Sequence, residues 1–219
     1  MTSPPPGEGP EQSGNPAPAP QSPAAARAFC FSATESVMHK TIITPAALAP
    51  AALAELKAWL GITITADDAA LTALLRAALD LCEGFTGLTP LVQTCEEVLP
   101  VTAEWQRLTA QPVQAITQVQ GVPAEGARFV LPLNSYALDL AADGSGRVRV
   151  HNPGAAGRIA VRFDAGLAAD WALLPDALRH GILRLAAHQY RHRESEASAP
   201  LPPAAIAALW RPWRRMRLA

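Results

Sequence analysis

Cysteine is scarce: the chain carries Cys30, Cys82 and Cys95, an odd set with no CxxC pair. That excludes a disulfide framework or a zinc ribbon as the basis of the fold. Cys82 falls on an apolar helical ridge and is expected to be a small core residue. Long apolar runs are also missing. The Ala-rich stretch 45–60 is cut by Pro50, Glu55 and Lys57, so no membrane span and no membrane partner are expected. No basic, then apolar, leader opens the chain, which argues against a secretory signal. The expectation is a soluble intracellular protein. Net charge is nearly absent too, with 18 Lys+Arg against 19 Asp+Glu.

Catalytic patterns are equally thin. His188 and His192 stand four residues apart on one expected helix face, a spacing that suits a metal. HQYRH lacks the Glu of a zincin, no third ligand is placed nearby, and Arg184, Arg191 and Arg193 would repel a cation. Gly144-Ser145-Gly146 has neither the Lys nor the following helix of a phosphate loop, and reads as a turn. Ser135 and Ser145 lack the glycines of a nucleophile elbow. Asp67-Asp68 is better explained by helix capping than by acid–base work. No catalytic residue, metal or cofactor is expected, and an enzyme is not.

What is present falls into three parts. Residues 1–37 are rich in Pro, Ala, Gly and Ser, with almost no large apolar side chain before Phe29. Such a segment cannot offset its ordering entropy by burial. It reads as a disordered tail or as an over-extended start, with Met38 opening the ordered protein. Residues 38–200 are long enough for one core-forming domain. A tail, 201–219, follows.

Within the domain, a short helix is expected from Thr44-Pro45 to a C-cap at Gly61. Thr65-Ala66-Asp67-Asp68 resembles a capping box, and Leu71, Leu74, Leu75, Ala78, Leu81, Cys82 and Phe85 behind it recur at helical period. The texture then changes to alternation. Strands are expected at 91–101, 105–108, 112–122, 129–131, 136–140 and around Ile159, Val161 and Phe163, with a hairpin turn at Asp143-Gly144-Ser145-Gly146. Leu174, Leu178, Ile182 and Leu185 form the apolar ridge of a later helix, and His180, Arg184, His188 and Arg191 a basic ridge opposite. The prediction is an α+β fold: an N-terminal helix pair, a small antiparallel β-sheet block, and a C-terminal helix pair with a basic, aromatic tail.

Charge is polarised along the chain. Acids dominate 55–97, including Asp67, Asp68, Asp80 and Glu83, and arginine dominates after Trp171. Either copies stack acidic end to basic end, or both are ordinary solvated surfaces. Trp210, Arg211, Trp213, Arg214, Arg215 and Arg217 invite two readings. One is an anchor for a partner, since Trp and Arg are favoured at interface centres. The other is a helix folded back on the chain's own core. The arginines could also touch phosphates, though a few arginines are a weak DNA-binding signal.

The order of parts resembles the head–tail connector (adaptor, head-completion) proteins of long-tailed phages and phage-like gene transfer agents. The resemblance runs over about residues 47–218. It rests on "ADDAALTALLRAALDLCEGFTG", on "VRFDAG" followed by "LPDALRHGILRLAAHQYRHRE", and on the terminal "LPPAAIAALWRPWRRMRL". It implies a structural virion protein at the neck of a particle assembled in the bacterial cytoplasm. Copies would form a ring, usually of about twelve, that extends the DNA channel beneath the portal. Implied partners are the portal protein, a stopper or other tail-side neck protein, further copies of the chain, and passing double-stranded DNA read without sequence preference. The resemblance assigns portal binding to Trp210, Arg211, Trp213, Arg214, Arg215 and Arg217. It assigns His180, Arg184, His188 and Arg191 to the channel or a subunit interface, and Asp67, Asp68, Asp80 and Glu83 would face the neighbouring copy. A DNA-binding regulator, a stopper and a tail terminator are the competing readings.

Overall fold

The computed structural model describes residues 1–2, 40–192 and 202–215. The chain divides into two units, Met1–Ser36 and Val37–Ala219, and all that follows concerns the second. Arg193, Arg217 and nearly all of the 1–37 segment therefore lie outside the described residues.

The chain first forms a strand, β1 (Lys40–Thr44), where sequence suggested the approach to a helix. The β-branched run Thr41–Thr44 favours a pleated ladder, and it pairs antiparallel with β2 (Gln93–Pro100). Helix α1 (Pro50–Leu60) starts later than expected, with Pro50 in its first turn where a missing N–H costs nothing. Gly61 ends it in the left-handed region (φ 72°), as its sequence position predicts. Helix α2 (Asp68–Thr86) buries Leu71, Leu75, Ala78, Cys82 and Thr86 along one face. Its N-cap is Asp67, yet no capping bond forms. The Asp67 carboxylate instead accepts the Tyr190 hydroxyl at 2.6 Å, so the capping-box expectation is corrected.

The sheet block has two layers. β2, β4 (Val113–Pro123), β5 (Phe129–Val130) and β8 (Ala156–Ala165) join β1 in a five-stranded sheet ordered β1-β2-β8-β4-β5. β3 (Gln106–Arg107), β6 (Tyr136–Leu140) and β7 (Gly146–Val150) form a second sheet ordered β3-β7-β6. All these pairings are antiparallel. The hairpin read at Asp143–Gly146 is present, with Leu138 opposite Val148. Leu99, Leu108, Val119, Val148, Ile159, Val161 and Phe163 share one apolar core. The other face of the large sheet is polar. There Glu96 takes Arg128 at 2.7 Å and Arg162 at 3.4 Å.

A second core belongs to the helices. After β8 the chain turns through Gly166, where an added Cβ would come within 2.4 Å of the Val92 backbone, so only glycine fits this approach. Helix α3 (Asp176–Arg191) then lies on α2, and α4 (Ala204–Trp210) lies on α3. Leu174, Leu178, Ile182 and Leu185 are buried, as the ridge predicts. Cys82 and Cys95 are both buried, and burial is the main cause that pushes their thiols up, to about 12 and about 11. Among the described residues, no helix is long and apolar enough to cross a membrane.

Candidate docking and assembly surfaces

The C-terminal segment splits into an inner and an outer part. Trp210 is fully buried, meets Phe85 at 6.0 Å between ring centroids, and aims Nε1 at the Leu178 carbonyl 3.4 Å away. An added Cβ on Gly181 would come within 2.2 Å of that nitrogen, so the glycine makes the seat for the indole. Trp210 therefore belongs to the protomer's own core, which corrects its reading as an exposed anchor. The physical reason is its neighbourhood: Ile206 and Trp210 share one face of α4, and that face closes over α3.

Beyond Trp210 the chain returns towards the sheets. Arg211 and Arg214 are exposed, and Trp213 is half-buried. The Arg214 guanidinium sits 5.6 Å from the Phe85 ring centroid, a cation–π contact. Arg215 is exposed but held: its N–H donates to the Thr86 carbonyl at 2.9 Å, and its guanidinium donates to Gln111 Oε1 at 3.1 Å. Pro212, Trp213, Arg214 and Arg215 line a shallow cleft against Asp143 and Gly144. Hydrogen bonds from Ser145 hold the Asp143 carboxyl below its usual range, and Arg107 and Arg215 add to that. Arg217 lies outside the described residues.

The basic ridge of α3 is only partly open. His180 and Arg191 are exposed, whereas Arg184 and His188 are half-buried. His180 meets Trp59 edge-on at 5.3 Å, and His188 meets His192 at 4.4 Å between ring centroids. Burial, then the neighbouring His192, holds His188 below its ordinary pKa. Among the described residues, no group of three or more potential ligands surrounds these histidines. Arg184 and Arg191 form no ion pair among the described residues.

The four acids assigned to a neighbouring copy are mostly engaged at home. Asp67 holds Tyr190, Asp68 pairs with Lys57 at 2.6 Å, and Glu83 binds Lys40 and Thr89. Asp80 alone of the four is exposed, and burial and the nearby Glu83 raise its carboxyl pKa. Sequence reasoning gave no role to Glu97, whose carboxylate is fully buried between the sheets. It accepts N–H groups from Thr109 at 3.0 Å and Ala110 at 3.3 Å, and the Thr109 hydroxyl. Its neighbours Thr109 and Ala110 give no sequence signal for this. Strand β1 was also missed, and its β-branched run was the available sign.

The comparisons with known proteins agree with this architecture. A family model described as phage gp6-like head-tail connector protein matches residues 50–122, from the start of α1 through β4. One similar structure is a chain in the neck of an empty gene transfer agent (GTA) particle computed with C6 symmetry. It is 27% identical with a TM-score of 0.67, covering 83% of this chain and 98% of that one. A chain of the virion of the native GTA particle is 29% identical, with a TM-score of 0.64 and the same coverage. A chain in the neck of the native GTA particle computed with C12 symmetry is 28% identical, with a TM-score of 0.63, covering 82% and 97%. No curated protein matches the chain. Residues 50–122 are thus similar to the phage gp6-like head-tail connector family. Together these likenesses support a structural neck protein of a phage-like particle rather than an enzyme.

Proposed function

We propose that the protein is the adaptor of a gene-transfer-agent-like neck, forming a ring beneath the portal that extends the DNA channel and receives the tail-side neck protein. The likeness to neck chains over most of both lengths supports this most strongly. In this reading the portal meets Arg211, Trp213 and Arg214, which α4 holds at the surface, while Trp210 fixes α4 to the domain. Arg217, assigned to the same contact by sequence, lies outside the described residues.

The ridge of His180, Arg184, His188 and Arg191 borders the channel. Three of the four acids that would complement it on a neighbouring copy already have partners inside the protomer. That favours DNA phosphate over the neighbour as the ridge's counterpart. Such contact is electrostatic and without sequence preference. A stopper or tail terminator is the weaker alternative, because the helices supply one of the two cores here.

The double substitution Arg184→Glu with Arg191→Glu is expected to leave rings in the neck and to lower the DNA content of purified particles. Quantifying DNA per particle checks this. Unchanged content would remove the channel role of the ridge.

A further inference from the structure

The two sheets end in four edges, and the chain treats them unequally. The large sheet ends in β1 and β5, the small one in β3 and β6. β3 and β5 are two residues long, whereas β1 and β6 each have five. A very short edge strand is one device that prevents edge-to-edge pairing. β1 and β6 lack that protection. Among the described residues, each pairs with a strand on one side only.

Both open edges also expose large apolar side chains. Ile42 and Ile43 on β1 are 44% and 43% exposed, and Leu138 and Leu140 on β6 are 40% and 50% exposed. Directly paired residues share a sheet face. Ile42 lies opposite buried Cys95, and Leu138 opposite buried Val148, so both stand on the core-side face of their own sheet. The two edges lie on different flanks of the block. Glu97 of β2, the strand beside β1, holds the residues that follow β3. The stretch leading to β6 is tied to β4, where the Leu131 N–H donates to the Val119 carbonyl.

We propose that β6 of one copy pairs with β1 of the next, so that the small sheet of each protomer continues into the large sheet of its neighbour. The proposal rests on the ring reading above. A rotational ring needs two different, complementary surfaces on every subunit. β1 and β6 are such a pair: different in sequence, equal in length and placed apart. A foreign strand would satisfy one edge and leave the other open. Another copy satisfies both, and ring closure leaves no such edge free to recruit further chains. Ile42 then lies beside Leu138 and Leu140 on one continuous apolar face.

The test uses full-length protein in purified particles, with Cys30→Ser as background and Ile42→Cys and Leu138→Cys introduced together. Cys82 and Cys95 are buried and remain unreactive in the folded chain. A short bis-maleimide is expected to give a ladder of covalent oligomers beyond the dimer on a denaturing gel, and neither single-cysteine variant is expected to give one. Thr41→Cys with Asp139→Cys provides a second pair should the first not fold. Particles whose necks contain a folded double variant yet yield monomers alone would overturn the edge pairing and leave the ring reading standing. Absence of the unaltered chain from particle necks would overturn both.

Discussion

Replacement of Trp210 by alanine is expected to lower the unfolding free energy by about 3–5 kcal/mol, the usual range for removing a large buried aromatic. The indole is fully buried and fills the seat above Gly181. Its loss leaves a cavity between α3, α4 and Phe85, and strips one partner from the Leu178 carbonyl. Gly181→Ala reaches the same contact from the other side, because its new methyl would lie 2.2 Å from Trp210 Nε1 and 2.8 Å from Cε2. The indole cannot yield without α4 lifting, so this variant is also expected to be destabilised. Arg211→Ala, at an exposed position next door, should stay within about 0.5 kcal/mol of the parent. Urea unfolding followed by circular dichroism separates these outcomes. A Trp210→Ala protein as stable as the parent would return Trp210 to the surface and to the portal.

Glu97→Ala is expected to cost about 3 kcal/mol or more, since hydrogen bonds to a charged acceptor are each worth about 1.5–3 kcal/mol. The carboxylate sits on β2 and gathers the Thr109 N–H, the Thr109 hydroxyl and the Ala110 N–H. These belong to the link between β3 and β4, so one side chain fastens the small sheet's connection to the large sheet. Its removal takes the carboxylate acceptor from the buried Ala110 N–H and from the half-buried Thr109. Glu97→Gln keeps the shape and one oxygen, but turns an amide donor towards groups that are donors themselves. It should therefore recover only part of the loss. The same urea titration, with both variants beside the parent, decides this; a neutral alanine variant would mean that water takes over the carboxylate's bonds.

The local elements of this fold were largely legible because they depend on period. Helix α2 was visible in Leu71, Leu75, Ala78 and Cys82, and α3 in Leu174, Leu178, Ile182 and Leu185, all of which are buried. The β6–β7 hairpin was visible in Asp143-Gly144-Ser145-Gly146 between alternating segments. β1 was missed because its signal is five residues long and sits beside a proline-marked helix start. Asp67 shows a different limit. Its position is that of a helix cap, but a tyrosine far along the chain claims the carboxylate, and no local pattern announces that. Trp210 is of the same kind. A Trp among arginines at a chain end suits an interface or a core equally well, and the choice is made by Gly181, whose missing side chain makes the room. The charge pattern was readable as composition but not as surface. Glu83, Asp67 and Asp68 are acidic in sequence, yet each is committed within the protomer.

The most direct test of the adaptor account is cryo-electron microscopy of particles made without this protein, beside particles from a complemented strain. The account predicts capsids with a portal in place, no ring density beneath it and no attached tail, with ring and tails restored on complementation. Tailed particles with a complete neck in the absence of the protein would contradict it.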